Sequence, residues 1–356
     1  MIVYKDNEYN FIEYFNEENG FLLRSDNLST NKNATQRSFP ELLDIGIMGQ
    51  CEASKNHLCS NFGVDCYQMA LLSKRKNMSF SEYKHLIDQC PGKVFQIALG
   101  GAGDPNKHPN FEQILSYTKS LNIVPNYTTS GFNISEEEIR LTKLYCGSVA
   151  VSFYTRLIEN RESSPSTINA IKKFIDAKIP TNIHYVISNE TIDEAIYRLE
   201  NNLFPESINA IIFLLYKPSG FGKAEKVITF SDDRLKRLIN IVENNHFSYS
   251  IGFDTCFTPA LISYSKKISI NSIDFCEAAR FSMYIDCELN AYPCSFDSAK
   301  GTFKYNISNS SIEQAWNSSV FTYFRQQQEI NCKCKYFEIC MGGCLLFNTI
   351  NLCEKK

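Results

Sequence analysis

Between residues 42 and 250 the sequence alternates short apolar runs with amphipathic stretches. The apolar runs have the length and composition of buried strands, and they cover residues 42–48, 94–99, 123–127, 148–153, 182–187 and 210–216. Helical patterns separate them, beginning near Ser79 and Ser135 or covering residues 110–121, 166–177, 192–201 and 231–244. Such alternation produces parallel sheets, and six units are too few for a closed eight-stranded barrel. The pattern predicts an α/β fold, a partial (β/α)6 TIM-like barrel.

The two ends of the chain differ from this central region. Residues 1–41 are polar and aromatic. Within them, Asn19-Gly20 between Phe15 and Phe21 predicts a hairpin, which is followed by a loop. After residue 250 the alternation fades and cysteines accumulate. We therefore expect an N-terminal hairpin and loop (1–41), a partial barrel (42–250) and a small Cys-rich α+β domain (251–356).

Composition excludes several classes of protein. The net charge of −3 gives no electrostatic basis for binding nucleic acid. No apolar run approaches the roughly 18 residues of a membrane-spanning helix, and the first residues do not form a signal peptide. We expect a cytoplasmic protein with neither nucleic acid nor a membrane as partner. In a reducing compartment, clustered cysteines indicate metal or redox sites rather than disulfides.

Twelve of the 14 cysteines are clustered. Cys51, Cys59 and Cys66 follow the first predicted strand, where a barrel active site would lie. The others are near the C-terminus: Cys256, Cys276, Cys287, Cys294, Cys332, Cys334, Cys340, Cys344 and Cys353. Clustered thiolates can hold a soft metal or an iron–sulfur centre. The first three suit a [4Fe–4S] cube with one iron left open; a zinc site or unrelated core thiols are the alternatives. Cys90 and Cys146 lie on helix-like segments and are predicted to be buried and inert.

Polar or glycine-rich segments follow the later strands. The second strand leads into Gly100, Gly101, Ala102, Gly103 and Asp104, where glycines allow backbone to approach a ligand and the carboxylate can pair with an ammonium group. Further along are Ser152, Asn182, His184 and the segment 217–222. Since the carboxyl ends of parallel strands converge, we expect one pocket there.

These features resemble the radical S-adenosylmethionine (SAM) superfamily. The Cys51 loop resembles its cluster loop, and Gly100–Asp104 is similar to its Gly-Gly-Glu-Pro motif. The resemblance implies that Cys51, Cys59 and Cys66 ligate a [4Fe–4S] cluster and that the glycine loop holds the methionine amino group. It also places Ser152, Asn182 and His184 near the ribose and carboxylate. The spacing is Cys-x7-Cys-x6-Cys instead of the usual Cys-x3-Cys-x2-Cys, and His57 is a possible substitute ligand.

The C-terminal region resembles the SPASM extension of radical SAM enzymes. The shared features are Tyr292-Pro293-Cys294, Ala315-Trp316 and the run Cys334-x5-Cys340-x3-Cys344, although Cys332-x-Cys334 replaces a Cys-x2-Cys pair and Leu289 replaces a glycine. The resemblance implies two auxiliary [4Fe–4S] clusters. One would use Cys332, Cys334, Cys340 and Cys353. The other would use Cys276, Cys294 and Cys344, with Cys256 as fourth ligand, Cys287 as runner-up, or an open position. A zinc knuckle is the alternative.

The resemblance predicts an enzyme that reductively cleaves S-adenosyl-L-methionine to a 5′-deoxyadenosyl radical and abstracts hydrogen from a substrate. We expect the substrate to be a ribosomally made peptide or a protein, and the electron donor to be one such as flavodoxin or ferredoxin, under anaerobic conditions. Two alternatives remain. One is a radical SAM enzyme that acts on a small metabolite or activates another enzyme. The other is a non-catalytic zinc or iron–sulfur electron-relay protein.

Overall fold

The computed structural model describes residues 1–30, 32, 34–56, 58–159, 161–330 and 332–354. The suggested ligand His57 lies outside the described residues. The chain begins with a three-stranded antiparallel sheet, ordered β1 (Ile2–Asp6), β2 (Phe11–Phe15) and β3 (Leu22–Arg24). The predicted hairpin is confirmed, because Phe15 pairs with Leu22 around the Asn19-Gly20 turn. The sequence pattern did not reveal β1.

A ten-stranded sheet forms the body of the molecule. Its strands are β4 (Leu42–Met48), β5 (Gln96–Gly101), β6 (Val124–Thr129), β7 (Val149–Ser152), β10 (Thr181–Ile187), β11 (Ala210–Leu215), β12 (Ser250–Phe253), β13 (Ser282–Ile285), β14 (Asn290–Tyr292) and β15 (Tyr305–Asn306). The strands β8 (Leu157–Ile158) and β9 (Arg161–Glu162) form a separate two-stranded ribbon. The order across the sheet is β12-β11-β10-β7-β6-β5-β4-β13-β14-β15.

Neighbouring strands are parallel from β12 through β13, whereas the pairs β13–β14 and β14–β15 are antiparallel. All six predicted strands are present, and their succession across the sheet confirms the α/β fold class. Over the described residues the strand order is open, with β12 and β15 at its ends. β12 was not predicted as a strand. It contains only four residues, which is too short for a reliable periodic pattern.

Helices connect the parallel strands and extend the C-terminal region. They are α1 (Leu58–Asn61), α2 (Phe80–Ile87), α3 (Phe111–Ser120), α4 (Glu136–Tyr145), α5 (Pro165–Asp176), α6 (Ile192–Glu200), α7 (Asp233–Asn244), α8 (Thr258–Tyr264), α9 (Ile312–Trp316), α10 (Ser319–Ile330) and α11 (Phe337–Cys340). The predicted helix starts at Ser79 and Ser135 are confirmed, since both serines form capping boxes with the glutamate three residues later. Among the described residues, we find no helix with the length and apolarity to cross a membrane.

The C-terminal region packs directly against the first strand of the barrel. Strand β13 pairs in parallel with β4, so that Tyr284 lies opposite Asp44. The buried Trp316 belongs to the same hydrophobic core as β4, and its indole nitrogen donates to the Arg37 carbonyl at 2.9 Å. This pairing brings the late cysteines toward the carboxyl ends of the barrel strands.

An ionic cluster joins the N-terminal sheet to both other regions. The Arg24 guanidinium lies 2.8 Å from Glu41, 2.7 Å from Glu277 and 3.5 Å from Glu13. It also stacks 3.8 Å from the centre of the Phe281 ring. A single arginine therefore links β3, the start of β4 and the segment before β13.

Candidate cofactor and cluster sites

The loops at the carboxyl ends of β4 to β7 enclose a cavity of about 270 Å³. Its lining includes the three early cysteines, the glycine loop and several residues from later strands. Among these residues are Cys51, Cys59, Cys66, Tyr67, Gly100, Gly101, Ala102, Gly103, Asp104, Thr129, Ser130, Ser152, Tyr154 and Phe221. The structure thus brings the two predicted motifs to one pocket.

The three early thiols are electrostatic neighbours within this cavity. Burial, Asp104 and the other two cysteines raise the pKa of Cys59 to about 12. Burial also raises the pKa of Cys51, followed by Asp104 and, more weakly, Cys66. The Cys66 sulfur accepts a hydrogen bond from the Ala70 amide at 3.5 Å. Because coordination to a metal deprotonates a thiol outright, these three sulfurs have the chemistry of metal ligands held in a partly dry site.

The glycine loop contacts the cluster loop through backbone that tolerates no side chain. A Cβ on Gly103 would lie 2.3 Å from the Gln50 carbonyl oxygen, and one on Gly101, whose φ is +121°, would lie 2.5 Å from that of Met48. Next to them, the Asp104 carboxylate accepts hydrogen bonds from the Ser130 amide at 2.8 Å and hydroxyl at 2.5 Å. Burial raises the Asp104 pKa, although these two hydrogen bonds oppose the shift. The loop is therefore a tight cradle that ends in a fixed acidic group.

The other predicted pocket residues differ in their placement. Ser152, the last residue of β7, lines the cavity and pairs in register with His184. His184 borders a small neighbouring space beside Tyr154, and burial lowers its pKa to about 4, so its ring is neutral. Asn182 does not reach the cavity. It lies two residues nearer the start of β10, roughly 6–7 Å lower along the strand, and accepts a hydrogen bond from Asn209.

Two aromatic residues of the pocket were missed by sequence reasoning. Tyr154 lines the cavity, and its interaction with Cys59 lowers the pKa of that thiol against the effect of burial. The Tyr67 ring packs 4.5 Å from that of Phe296 in the C-terminal region. Their positions in the sequence could have indicated this, because Tyr154 comes just after the end of β7 and Tyr67 comes directly after Cys66.

Four of the late cysteines form one group. Burial raises the pKa of Cys276 to about 12, with Cys344 as the next cause. Burial also raises the pKa of Cys256, and Cys344 and Cys276 contribute to that shift. The same two cysteines affect Cys294, whose pKa is raised mainly by burial. The structure thus groups Cys256, the predicted fourth ligand, with the other three predicted ligands.

A second group contains Cys332, Cys334, Cys340 and Cys353. Burial raises the pKa of Cys340, and the other three cysteines add to the increase, against a backbone hydrogen bond from Gly342. The Cys332 sulfur also accepts a hydrogen bond from the Cys334 amide at 3.4 Å. These four are the residues that the sequence assigned to one auxiliary cluster.

Cys287 stands apart from both groups. Burial raises its pKa to about 11, and its charged neighbours are Arg75, Asp286 and Glu288 rather than other cysteines. Cys90 is buried on the helical side of the sheet and donates to the Leu86 carbonyl at 3.5 Å. Over the described ranges, no three His, Cys, Asp or Glu side chains converge closely enough to hold a single metal ion.

Residues 276–344 match the SPASM iron–sulfur cluster-binding domain. The chain contains a SPASM domain. This domain begins at Cys276 and ends at Cys344, two members of the first late group. No curated protein matches the chain by sequence.

Solved structures share the overall fold. SuiB from Streptococcus suis bound to S-adenosylmethionine has a TM-score of 0.64 at 15% identity, covering 90% of this chain and 78% of SuiB. SuiB bound to the precursor peptide SuiA has a TM-score of 0.65 at 17% identity, covering 90% and 77%. Native anSMEcpe with bound AdoMet has a TM-score of 0.61 at 16% identity, covering 89% and 92%. These likenesses confirm the predicted fold class, a TIM-like α/β fold, and the family model places a SPASM iron–sulfur domain within its C-terminal part.

Proposed function

We propose that this chain is a radical SAM enzyme that reductively cleaves S-adenosyl-L-methionine and uses the resulting 5′-deoxyadenosyl radical to abstract hydrogen from a peptide. One observation carries the proposal: Cys51, Cys59 and Cys66 line the same cavity as the Gly100–Asp104 loop. Three sulfurs leave one iron of a four-iron cluster without a protein ligand. The adjacent acidic group suits the ammonium of an amino acid.

Each part of the cavity has a separate task. When bound, the cluster and SAM together supply the one-electron chemistry that produces the radical. Cys51, Cys59 and Cys66 would hold the cluster, and Asp104, fixed by Ser130, would hold the methionine amino group. Gly101 and Gly103 let backbone approach at distances that a side chain would block. Ser152 would provide a hydroxyl at the end of β7.

Peptide substrates are supported by SuiB, whose structure with a precursor peptide shares this fold. We propose that the substrate is a ribosomally made peptide or a protein. We also propose that the protein works in an anaerobic cytoplasm with a donor such as flavodoxin or ferredoxin. The two late cysteine groups would hold auxiliary [4Fe–4S] clusters. With Cys256 as fourth ligand, the cluster of the first late group has no open iron, which favours electron transfer over substrate binding.

The test uses the full chain, reconstituted with iron and sulfide without oxygen, then incubated with SAM and dithionite. Wild-type protein should release 5′-deoxyadenosine, and a Cys51→Ala, Cys59→Ala, Cys66→Ala variant should release none above background. A Cys90→Ala, Cys146→Ala variant is the control and should behave as wild type. Wild-type protein that contains iron but neither binds nor cleaves SAM would overturn the proposal in favour of an electron-relay protein.

A further inference from the structure

Lys217 is a buried cation beside the first late cysteine group. It follows β11, is 9% exposed and forms an ion pair with Asp254. Its ammonium nitrogen lies 4.9 Å from the centre of the Phe296 ring. Cys256 and Cys294 are its other charged neighbours when their sulfurs are thiolates. A lysine in this position has lost most of its hydration. Its charge is therefore little screened by water and interacts strongly with neighbouring charged groups.

The segment that carries Lys217 lies between two cluster sites. The Ser219 hydroxyl donates to the Phe296 carbonyl at 2.8 Å, two residues beyond Cys294. The Phe221 amide donates to the Cys66 carbonyl at 3.2 Å, in the first cluster loop. Gly220 passes so close to this loop that a Cβ would lie 2.3 Å from the Tyr67 carbonyl oxygen. Residues 217–222 therefore contact both the first cluster loop and the segment just after Cys294.

Asp254 fixes Lys217 and the turn of Cys256 together. Its carboxylate binds the lysine ammonium and accepts hydrogen bonds from the Leu215 amide at 3.1 Å and the Cys256 amide at 3.2 Å. The lysine neutralises this carboxylate. Without it, an uncompensated negative charge would remain next to the Cys256 thiolate.

We propose that Lys217 raises the reduction potential of the iron–sulfur cluster held by Cys256, Cys276, Cys294 and Cys344. This inference rests on the proposed function, which assigns the cluster to these four cysteines. On reduction the cluster takes up one electron and no bond breaks, so the site becomes more negative by one charge. A nearby fixed cation stabilises the reduced form more than the oxidised form. Lys217 acts through the cluster and contacts neither substrate nor SAM.

The test is a redox titration followed by electron paramagnetic resonance. The full chain carries Cys51→Ala, Cys59→Ala and Cys66→Ala, so that only the late clusters give signals. Lys217→Met should move one of the two midpoint potentials to a more negative value. Lys217→Arg, which keeps the charge, and Lys84→Met, which removes a half-exposed lysine on α2, should leave both unchanged.

Asp254→Asn supplies the opposite change of charge. Asparagine can still cap the Cys256 turn, because asparagine and aspartate are equally good at this position. Removal of the negative charge should move the same potential to a more positive value. A merely structural role would not produce shifts of opposite sign from the two partners of one ion pair.

Three results would overturn the inference: unmoved potentials, shifts of the same sign for Lys217→Met and Asp254→Asn, or equal shifts of both late clusters. If Lys217→Met fails to take up iron, the direction of the potential shift in Asp254→Asn decides alone: a shift to a more positive value supports the inference, and any other result overturns it. Failure of the proposed function is seen separately, as an absence of late-cluster iron in the protein with wild-type Lys217.

Discussion

At the scale of single residues, the proposed function makes Asp104 the group on which SAM binding would depend most. Asp104→Asn removes the negative charge but keeps the shape, and we expect SAM affinity to fall about tenfold or more, since a charge-assisted hydrogen bond contributes roughly 1.5–3 kcal/mol. Anaerobic calorimetry with SAM measures the change. Asp88→Asn changes an exposed carboxylate at the C-terminal end of α2; it is the control and should bind as wild type. Equal affinity in Asp104→Asn and wild type would contradict this role.

The pH dependence of SAM binding provides a second test of Asp104. Burial raises its pKa, so the carboxylate is protonated at a higher pH than an exposed aspartate. The binding form is the anion, and therefore affinity should decline as the pH falls through that raised pKa. The affinity of Asp104→Asn should change less over the same range. A decline of the same size in both proteins would assign it to another group.

Cys256 and Cys287 were the two alternatives for one ligand, and their surroundings distinguish them. Cys256 is grouped with Cys276 and Cys344, whereas Cys287 has charged neighbours but no cysteine among them. We expect Cys256→Ala to lose about four iron atoms per chain, one cube's content, and Cys287→Ala to lose none. Iron and sulfide analysis of the two reconstituted variants measures this. Loss of iron in Cys287→Ala alone would reverse the assignment.

At the scale of elements, the close contact of two loops is set by a single glycine. Gly103→Ala would push a methyl group into the Gln50 carbonyl, whereas a Cβ on Gly100 would meet only Asp44 at 3.7 Å. We expect Gly103→Ala to lose most of its SAM binding, because the cradle and the cluster loop must separate. Gly100→Ala in the same loop should retain its iron content and SAM binding. Similar behaviour of the two variants would exclude this packing constraint.

The central strands and their loops could be predicted because each carries a local signal. The six apolar runs, the serine caps, the glycine loop and the cysteine spacings can all be recognised from residues that are close together in the sequence. Strand β13 is parallel to β4 only because residues 282–285 return to the first barrel strand, a contact of high sequence separation. The same holds for Lys217 and Cys256, whose proximity comes from β11 and β12 being neighbours. Asn182 was misplaced because a strand's pattern does not show which of its residues reach the top of the sheet.

At the scale of the whole molecule, the Arg24 cluster predicts how stability varies with pH. Burial raises the pKa of Glu41 to about 8, with Arg24 opposing and Glu13 reinforcing the shift. Glu41 is then more easily protonated in the folded chain than in the unfolded chain. Its contribution to stability is complete below about pH 4.5 and is lost as the pH rises through about 8.

We expect the Tm of the wild-type protein to fall by several degrees between pH 6 and pH 8.5, because a loss of about 1–3 kcal/mol has that effect in a chain of this size. Glu41→Gln should show a smaller fall. Anaerobic thermal unfolding at several pH values measures the fall in Tm. Glu136→Gln, at an exposed helix position, is the control and should show the same fall as wild type. An unchanged pH dependence in Glu41→Gln would show that another group titrates.

The relation between the three sulfurs and SAM is tested most directly by electron paramagnetic resonance of the dithionite-reduced protein, with and without SAM. If Cys51, Cys59 and Cys66 hold a cube whose fourth iron takes SAM as a ligand, addition of SAM should change the wild-type spectrum. The spectrum of the Cys51→Ala, Cys59→Ala, Cys66→Ala variant, which arises from the late clusters alone, should not change. A wild-type spectrum that SAM leaves unaltered, or an equal change in the variant, would contradict the account.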